Sequence, residues 1–204
     1  DPTKNIPLNL QKLFCNMQFS ETPCSTQALT KSFGWNDRET VIQHDVQEFC
    51  RVLIDNLEEK LKGHEGLEGK IAELFRGKTK SYIRCKDIDY ESSHYDNFYD
   101  LSLEVKDTLT LEKAFERYIE PELLDGDNQY QVEGQGKHDA LIGTEFIKFP
   151  PILQLHLRRF EYNYQWDRIT KINDRFEFPE EIDLERFLAK DGDRSKQNVY
   201  QLFG

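Results

Sequence analysis

The chain has 204 residues and a formal charge of −11, from 27 Lys and Arg against 38 Asp and Glu, with 37% hydrophobic and 12% aromatic residues. That composition can bury a sizeable core and fits one or two globular lobes, against disorder of the chain as a whole. The acidity repels phosphate backbones, and no basic patch alternates with aromatics, so nucleic acid is excluded as a partner and a basic or neutral protein surface is favoured. No apolar run reaches membrane-spanning length and neither end has a signal-peptide pattern, so no membrane association is expected.

In chain order, residues 6–19 (IPLNLQKLFCNMQF) place Leu10, Leu13, Phe14 and Met17 at helical spacing, and STQALTKSF adds a short second helix. A third helix covers 45–61, with Val46, Phe49, Cys50, Leu53, Ile54, Leu57 and Leu61 on one face. GHEGLEG at 63–69 breaks the periodicity, and after KIAELFRG the pattern turns to strands. TKSYIRCKDIDY and NFYDLSLEV (97–105) alternate as strands, with polar DYESSHYDN between them. Thr110 caps a helix whose face is Leu111, Ala114, Phe115, Tyr118 and Ile119, and LLDGDNQY is turn chemistry. PILQLHLRRF reads as a strand with Leu153, Leu155 and Leu157 on one side and Gln154, His156 and Arg158 on the other. DRFEFP continues the β section, a short helix starts at Asp183, and NVYQLFG resembles an interrupted strand, so the chain is expected to be an excised piece. Helices first and strands second predict an α+β fold, divided at 1–76 and 77–204.

QHDVQEFC places His44, Asp45, Glu48 and Cys50 together, the inventory of a thiol hydrolase. Six positions on a helix turn Cys50 about 120° away from His44, so the pair cannot meet, and Cys50 reads as buried packing. Asp45 is placed to cap the helix, with Glu48 completing a capping-box pattern. The opposite face gathers Glu48, Arg51, Asp55 and Glu58 in a narrow arc, with Arg51 and Asp55 at i,i+4. The four cysteines, 15, 24, 50 and 85, form no CxxC pair, and Cys15 and Cys50 fall in helical apolar patterns, which points to free thiols in a reducing compartment. Cys85 with His94 or His138 is too small a donor set for zinc, and no metal or cofactor is expected.

LTKSFGW, QHDVQEFCRVLIDNLE, LFRGKTKSYIRC, LDGDNQY, FPPILQLHLRRF and KINDRFEFPE occur in this order over nearly the whole chain, which resembles the ubiquitin-specific proteases, most of all their herpesvirus-associated branch. The resemblance implies a papain-like cysteine protease of thumb, palm and fingers type, with residues 1–76 as thumb and 77–204 as fingers and palm. It implies hydrolysis of the bond after the C-terminal glycine of ubiquitin, ubiquitin and ubiquitinated proteins as partners, and an intracellular place in nucleus and cytoplasm. The family's Cys box, G-x-T/A-C-Y-x-N, and His box, H-x-G-H-Y, are both absent from the 204 residues, so no catalytic residue is assigned and the chain alone is expected to be inactive. An inactive ubiquitin-binding module is the alternative. By resemblance, Asp45, Val46 and Gln47 lie near the ubiquitin tail and Glu48, Arg51, Asp55 and Glu58 face ubiquitin. His156, Arg159, Phe160, Tyr162 and Lys171 line the same channel, and Glu122 contacts ubiquitin from the fingers. Many members bind zinc there through two CxxC knuckles. This chain keeps only Cys85 of the first and has YQVEGQG in place of the second.

Overall fold

The structure is a computed structural model that describes residues 2–34 and 45–203. It divides into two compact units, Asp1–Leu74 and Phe75–Gly204. His44 and Trp35, used in the motifs above, lie outside the described residues.

The first unit is helical. Its elements are α1 (Ile6–Phe19), α2 (Gln27–Ser32), α3 (Val46–Leu61) and α4 (Lys70–Phe75), the last running to the boundary. The Asn5 side chain accepts from Leu8 N at 3.1 Å and starts α1, with a proline in the first turn where no backbone donor is missed. Gly63, at φ 76°, takes the left-handed conformation that ends α3. Phe33 and Phe49 pack with ring centres 5.3 Å apart. The first three helices fall where periodicity placed them, but they bury less than their apolar faces suggest, and the expectation for Cys50 fails. Full burial on α1 is confined to Ile6 and Asn9, and Cys15, Phe14 and Met17, further along the helix, are exposed. Cys50 is half-buried rather than buried, since Ile54 alone of its helical face is fully covered.

The second unit holds β1 (Gly77–Cys85), β2 (Glu91–Phe98), β3 (Leu101–Glu104), α5 (Leu111–Ile119), β4 (Glu122–Leu124), β5 (Tyr130–Val132) and β6 (Gly136–His138). It continues with β7 (Ala140–Lys148), β8 (Leu155–Arg158), β9 (Phe160–Asn163), β10 (Arg168–Lys171), β11 (Glu181–Asp183) and β12 (Val199–Gln201). Antiparallel β2-β1-β7-β4 form one sheet, and β9–β10, β5–β6 and β11–β12 are two-stranded ribbons. β3 and β8 pair in parallel, Leu101 opposite Leu155 and Ser102 opposite His156. The alternation of β8 turns Leu155 and Leu157 to a core built on Leu101, Leu103, Phe115, Phe146, Phe149 and Phe187. Helices followed by mostly antiparallel strands make the fold α+β.

Two segments depart from the pattern reading. Residues 91–96, expected as a polar connection, fall within β2, paired with β1 from Gly77–Phe98 to Arg84–Glu91. Seven of its eight residues are exposed, so an edge strand covered on neither face leaves no apolar alternation to detect. The strand expected over 97–105 is correspondingly split between the end of β2 and β3. The helix expected from Asp183 is a single 3₁₀ turn, Glu185–Phe187, with the Asp183 carboxylate accepting from Glu185 N at 2.8 Å, and Asp183 itself ends β11. Among the described residues no helix is long and apolar enough to cross a membrane.

Candidate functional site

The α3 residues lie in the first unit. Asp45 has extended backbone and its carboxylate accepts from Gln47 N at 2.8 Å, so the expected cap is present, without a reciprocal bond from Glu48. Val46 is 68% exposed although periodicity assigned it to the apolar face, because it stands at the first position of the helix. Glu48, Arg51 and Asp55 are exposed and Glu58 half-buried. Arg51 and Asp55 make no ion pair with each other, contrary to their spacing. The result is an acidic strip, three carboxylates beside one guanidinium.

The strand residues lie in the second unit. Phe160 and Tyr162 alternate onto one face of β9, and Lys171 of β10 stands opposite Phe160. Arg159, at the foot of this ribbon, donates to the carbonyls of Asp174 at 3.1 Å and Ile172 at 3.5 Å, so its guanidinium ties down the returning chain. His156 is half-buried opposite Ser102, three residues before Arg159. Glu122 is apart from them, exposed on β4 opposite Ile142. The turn is built locally: Asn163 Oδ1 accepts from Gln165 N at 3.0 Å and Trp166 N at 3.2 Å, and the Tyr162 hydroxyl donates to the Asp167 carboxylate. That bond to a carboxylate pushes the Tyr162 phenol above its ordinary range.

The ribbon also presents Tyr164, Trp166 and Ile169, which are 89%, 67% and 70% exposed and were not singled out from the sequence. The signal was there, since Phe160, Tyr162, Tyr164 and Trp166 continue one alternation. Tyr162 and Tyr164 meet edge to face at 5.1 Å, and the Arg168 guanidinium lies 5.9 Å from the Trp166 ring. Such an array, rimmed by Lys171 and Arg168, has the chemistry of a surface for an extended peptide. A cleft of about 390 Å³ lies elsewhere, between α5 and β3, where Glu104 is shared by Arg117 at 3.1 Å and Arg158 at 3.7 Å. It contains none of the expected site residues.

Among the described residues no group of three or more His, Cys, Asp or Glu side chains could hold a metal ion. Cys85 is buried beside Val132 and Ala140, and burial and the nearby Asp87 charge push its thiol pKa up. Residues 130–138, where the resemblance would put a second knuckle, hold the β5–β6 ribbon, with Val132 opposite Gly136.

An α+β chain with a capped acidic helix and an aromatic β-ribbon matches one family over its whole length. It belongs to the ubiquitin carboxyl-terminal hydrolase family, whose profile covers residues 1–204. It is 49% identical over 205 residues to ubiquitin C-terminal hydrolase 12 of Arabidopsis thaliana, covering 98% of this chain and 18% of that protein. It is 49% identical over 190 residues to ubiquitin carboxyl-terminal hydrolase 7 of Drosophila melanogaster, covering 93% of this chain and 17% of the relative. With ubiquitin carboxyl-terminal hydrolase 15 of Saccharomyces cerevisiae the identity is 48% over 190 residues, covering 93% and 15%. The chain thus spans less than a fifth of the length of these relatives.

Proposed function

We propose that these residues are the ubiquitin-holding part of a deubiquitinating thiol protease. The observation that carries this is the match to ubiquitin carboxyl-terminal hydrolases at 48–49% identity over 93–98% of the chain. The acidic strip Glu48, Arg51, Asp55 and Glu58, with the cap residues Asp45, Val46 and Gln47, is read as facing a basic region of ubiquitin. Phe160, Tyr162 and Lys171 are read as lining the path of its extended tail, with Arg159 and His156 holding that ribbon and its neighbour, and Glu122 as an outlying contact. No cysteine of the chain is assigned the nucleophile. Cys85 illustrates why: a thiol pushed up by burial is the reverse of an activated one. The attacking thiolate and its imidazole are then supplied from outside these residues, and a chain lacking them binds ubiquitin without cleaving it.

The test uses the intact catalytic domain with its nucleophile disabled, so that complexes persist. Exchanging Asp55 and Glu58 for Lys places like charge against a basic partner and is expected to weaken ubiquitin binding by about 2 kcal/mol or more, some thirtyfold. The Asp55 exchange by itself, at an exposed position, should move stability by less than about 0.5 kcal/mol. A control exchange at exposed Lys190 should change neither. Unchanged affinity in the double variant would return the α3 face to solvent.

A further inference from the structure

The β5–β6 ribbon and the turn between β1 and β2 are held together by one side chain. His138 of β6 has a ring nitrogen on each side of the junction: Nδ1 lies 2.8 Å from the Asp87 carboxylate and Nε2 lies 3.1 Å from the Gln135 carbonyl. Both partners are acceptors only. A neutral imidazole has one N–H, so one contact would set lone pair against lone pair, and only the imidazolium donates to both. The imidazole side chain is 14% exposed and the carboxylate 56%, so the ring is enclosed while its counter-ion faces water.

We propose that a proton closes this end of the sheet: His138, as imidazolium, clasps the β1–β2 turn to the β5–β6 turn, and its deprotonation releases them. The rest of the junction packs around the clasp. Opposite His138 on β5 is Tyr130, with the Tyr90 ring 6.2 Å away. The nearby Asp139 carboxylate accepts from Gln129 Nε2 at 2.8 Å, and Cys85 is buried beneath among Val132 and Ala140. Asp87 is the charge that acts on the ring. Its hydrogen bond raises the imidazole pKa above its ordinary 6.5, and the same bond lowers the carboxyl below its ordinary 3.8. The imidazolium contribution is therefore complete below 6.5 and is withdrawn as pH rises through the folded pKa of the ring. On the acid side it is lost only as pH falls through the lowered pKa of Asp87. The clasp is closed below 6.5 and opens as pH rises through the raised pKa of the ring.

The experiment is long-range proton–nitrogen NMR of the imidazoles in the full chain, with amide exchange at the junction corrected for intrinsic rates. At pH 6 both His138 nitrogens should carry protons, with titration above 6.5. Exchange at Gln135 and Lys86 should then rise through that titration, by up to tenfold for each unit separating the folded pKa from 6.5, while Phe146 in the core stays unmoved. Asp87→Asn should return the ring to an ordinary or lower pKa, and His138→Gln should abolish the pH step. A singly protonated His138 at pH 6, or a junction whose exchange keeps the same pH step in His138→Gln, would overturn the proposal. The ring spectrum of the unaltered chain decides even if a variant fails to fold.

Discussion

Gly77 and Gly143 look alike in the sequence and differ in the fold. Gly77 pairs with Phe98, whose outer ring carbons come so close that a Cβ there would overlap them. Gly143 faces Tyr82, and its Cβ would come within 2.8 Å of the hydroxyl and 3.0 Å of the nearest ring carbon, a milder overlap than at Gly77. Gly77→Ala is therefore expected to destabilise the chain by about 2 kcal/mol, since Phe98 is packed edge-on against Phe146 and cannot retreat, whereas Gly143→Ala should cost clearly less. Denaturant melts of the two variants measure the difference. Neither role could be read from the chain, because a glycine under a ring is defined by strand register and not by its neighbours in sequence. Asp45 and Thr110 were legible for the opposite reason: a cap acts on backbone two or three residues away, at Gln47 N and Lys113 N.

At the scale of elements, α5 combines that cap with an apolar face that buries Leu111, Ala114 and Phe115, so Thr110→Ala should lower stability by about 1 kcal/mol in a thermal or chemical melt. Its 3.6-residue period survives in the fold because each apolar position meets the core, as where Phe115 stacks on Phe187 at 5.1 Å. β2 had no such signature. It is held by its ladder and by charge, Glu91 accepting from Lys80 at 2.6 Å and Arg84 at 2.7 Å. Those bonds, Lys80 first, pull the Glu91 carboxyl below its ordinary 4.5, so the tie is whole above that value and fails as pH falls through the lowered pKa. Amide exchange along 91–98, corrected for intrinsic rates, should accelerate in acid before the β1–β7 pairing does. Glu91→Gln should erase that difference. The parallel β3–β8 pair was invisible for another reason, since alternation marks a strand but not its partner. Likewise the exposed aromatics of β9–β10 were only half seen, because tyrosines in a turn read as easily as connection as surface.

For the molecule as a whole, the two units differ in what each can bury. The second has a continuous core from Leu101 to Leu188, whereas among the described residues the first fully buries only Ile6, Leu29, Ile54 and Ala72 of its apolar side chains. Residues 75–204 alone are expected to melt cooperatively, and residues 1–74 alone to give a broad transition or none, by circular dichroism. A sharp melt from the first unit by itself would contradict this. The parallel pairing also sets an order of events during synthesis. Leu101 and Leu103 are made early, yet the strand that pairs with theirs, Leu155–Arg158, is made only after α5 and all four strands from β4 to β7. A nascent chain halted before Leu155 leaves those leucines without their ladder partner, and closing so long a loop is slow compared with forming the hairpins inside it. The ladder at the heart of this core therefore closes only once β8 has emerged from the ribosome, and the interval before that is when a chaperone holding Leu101–Val105 has most to protect.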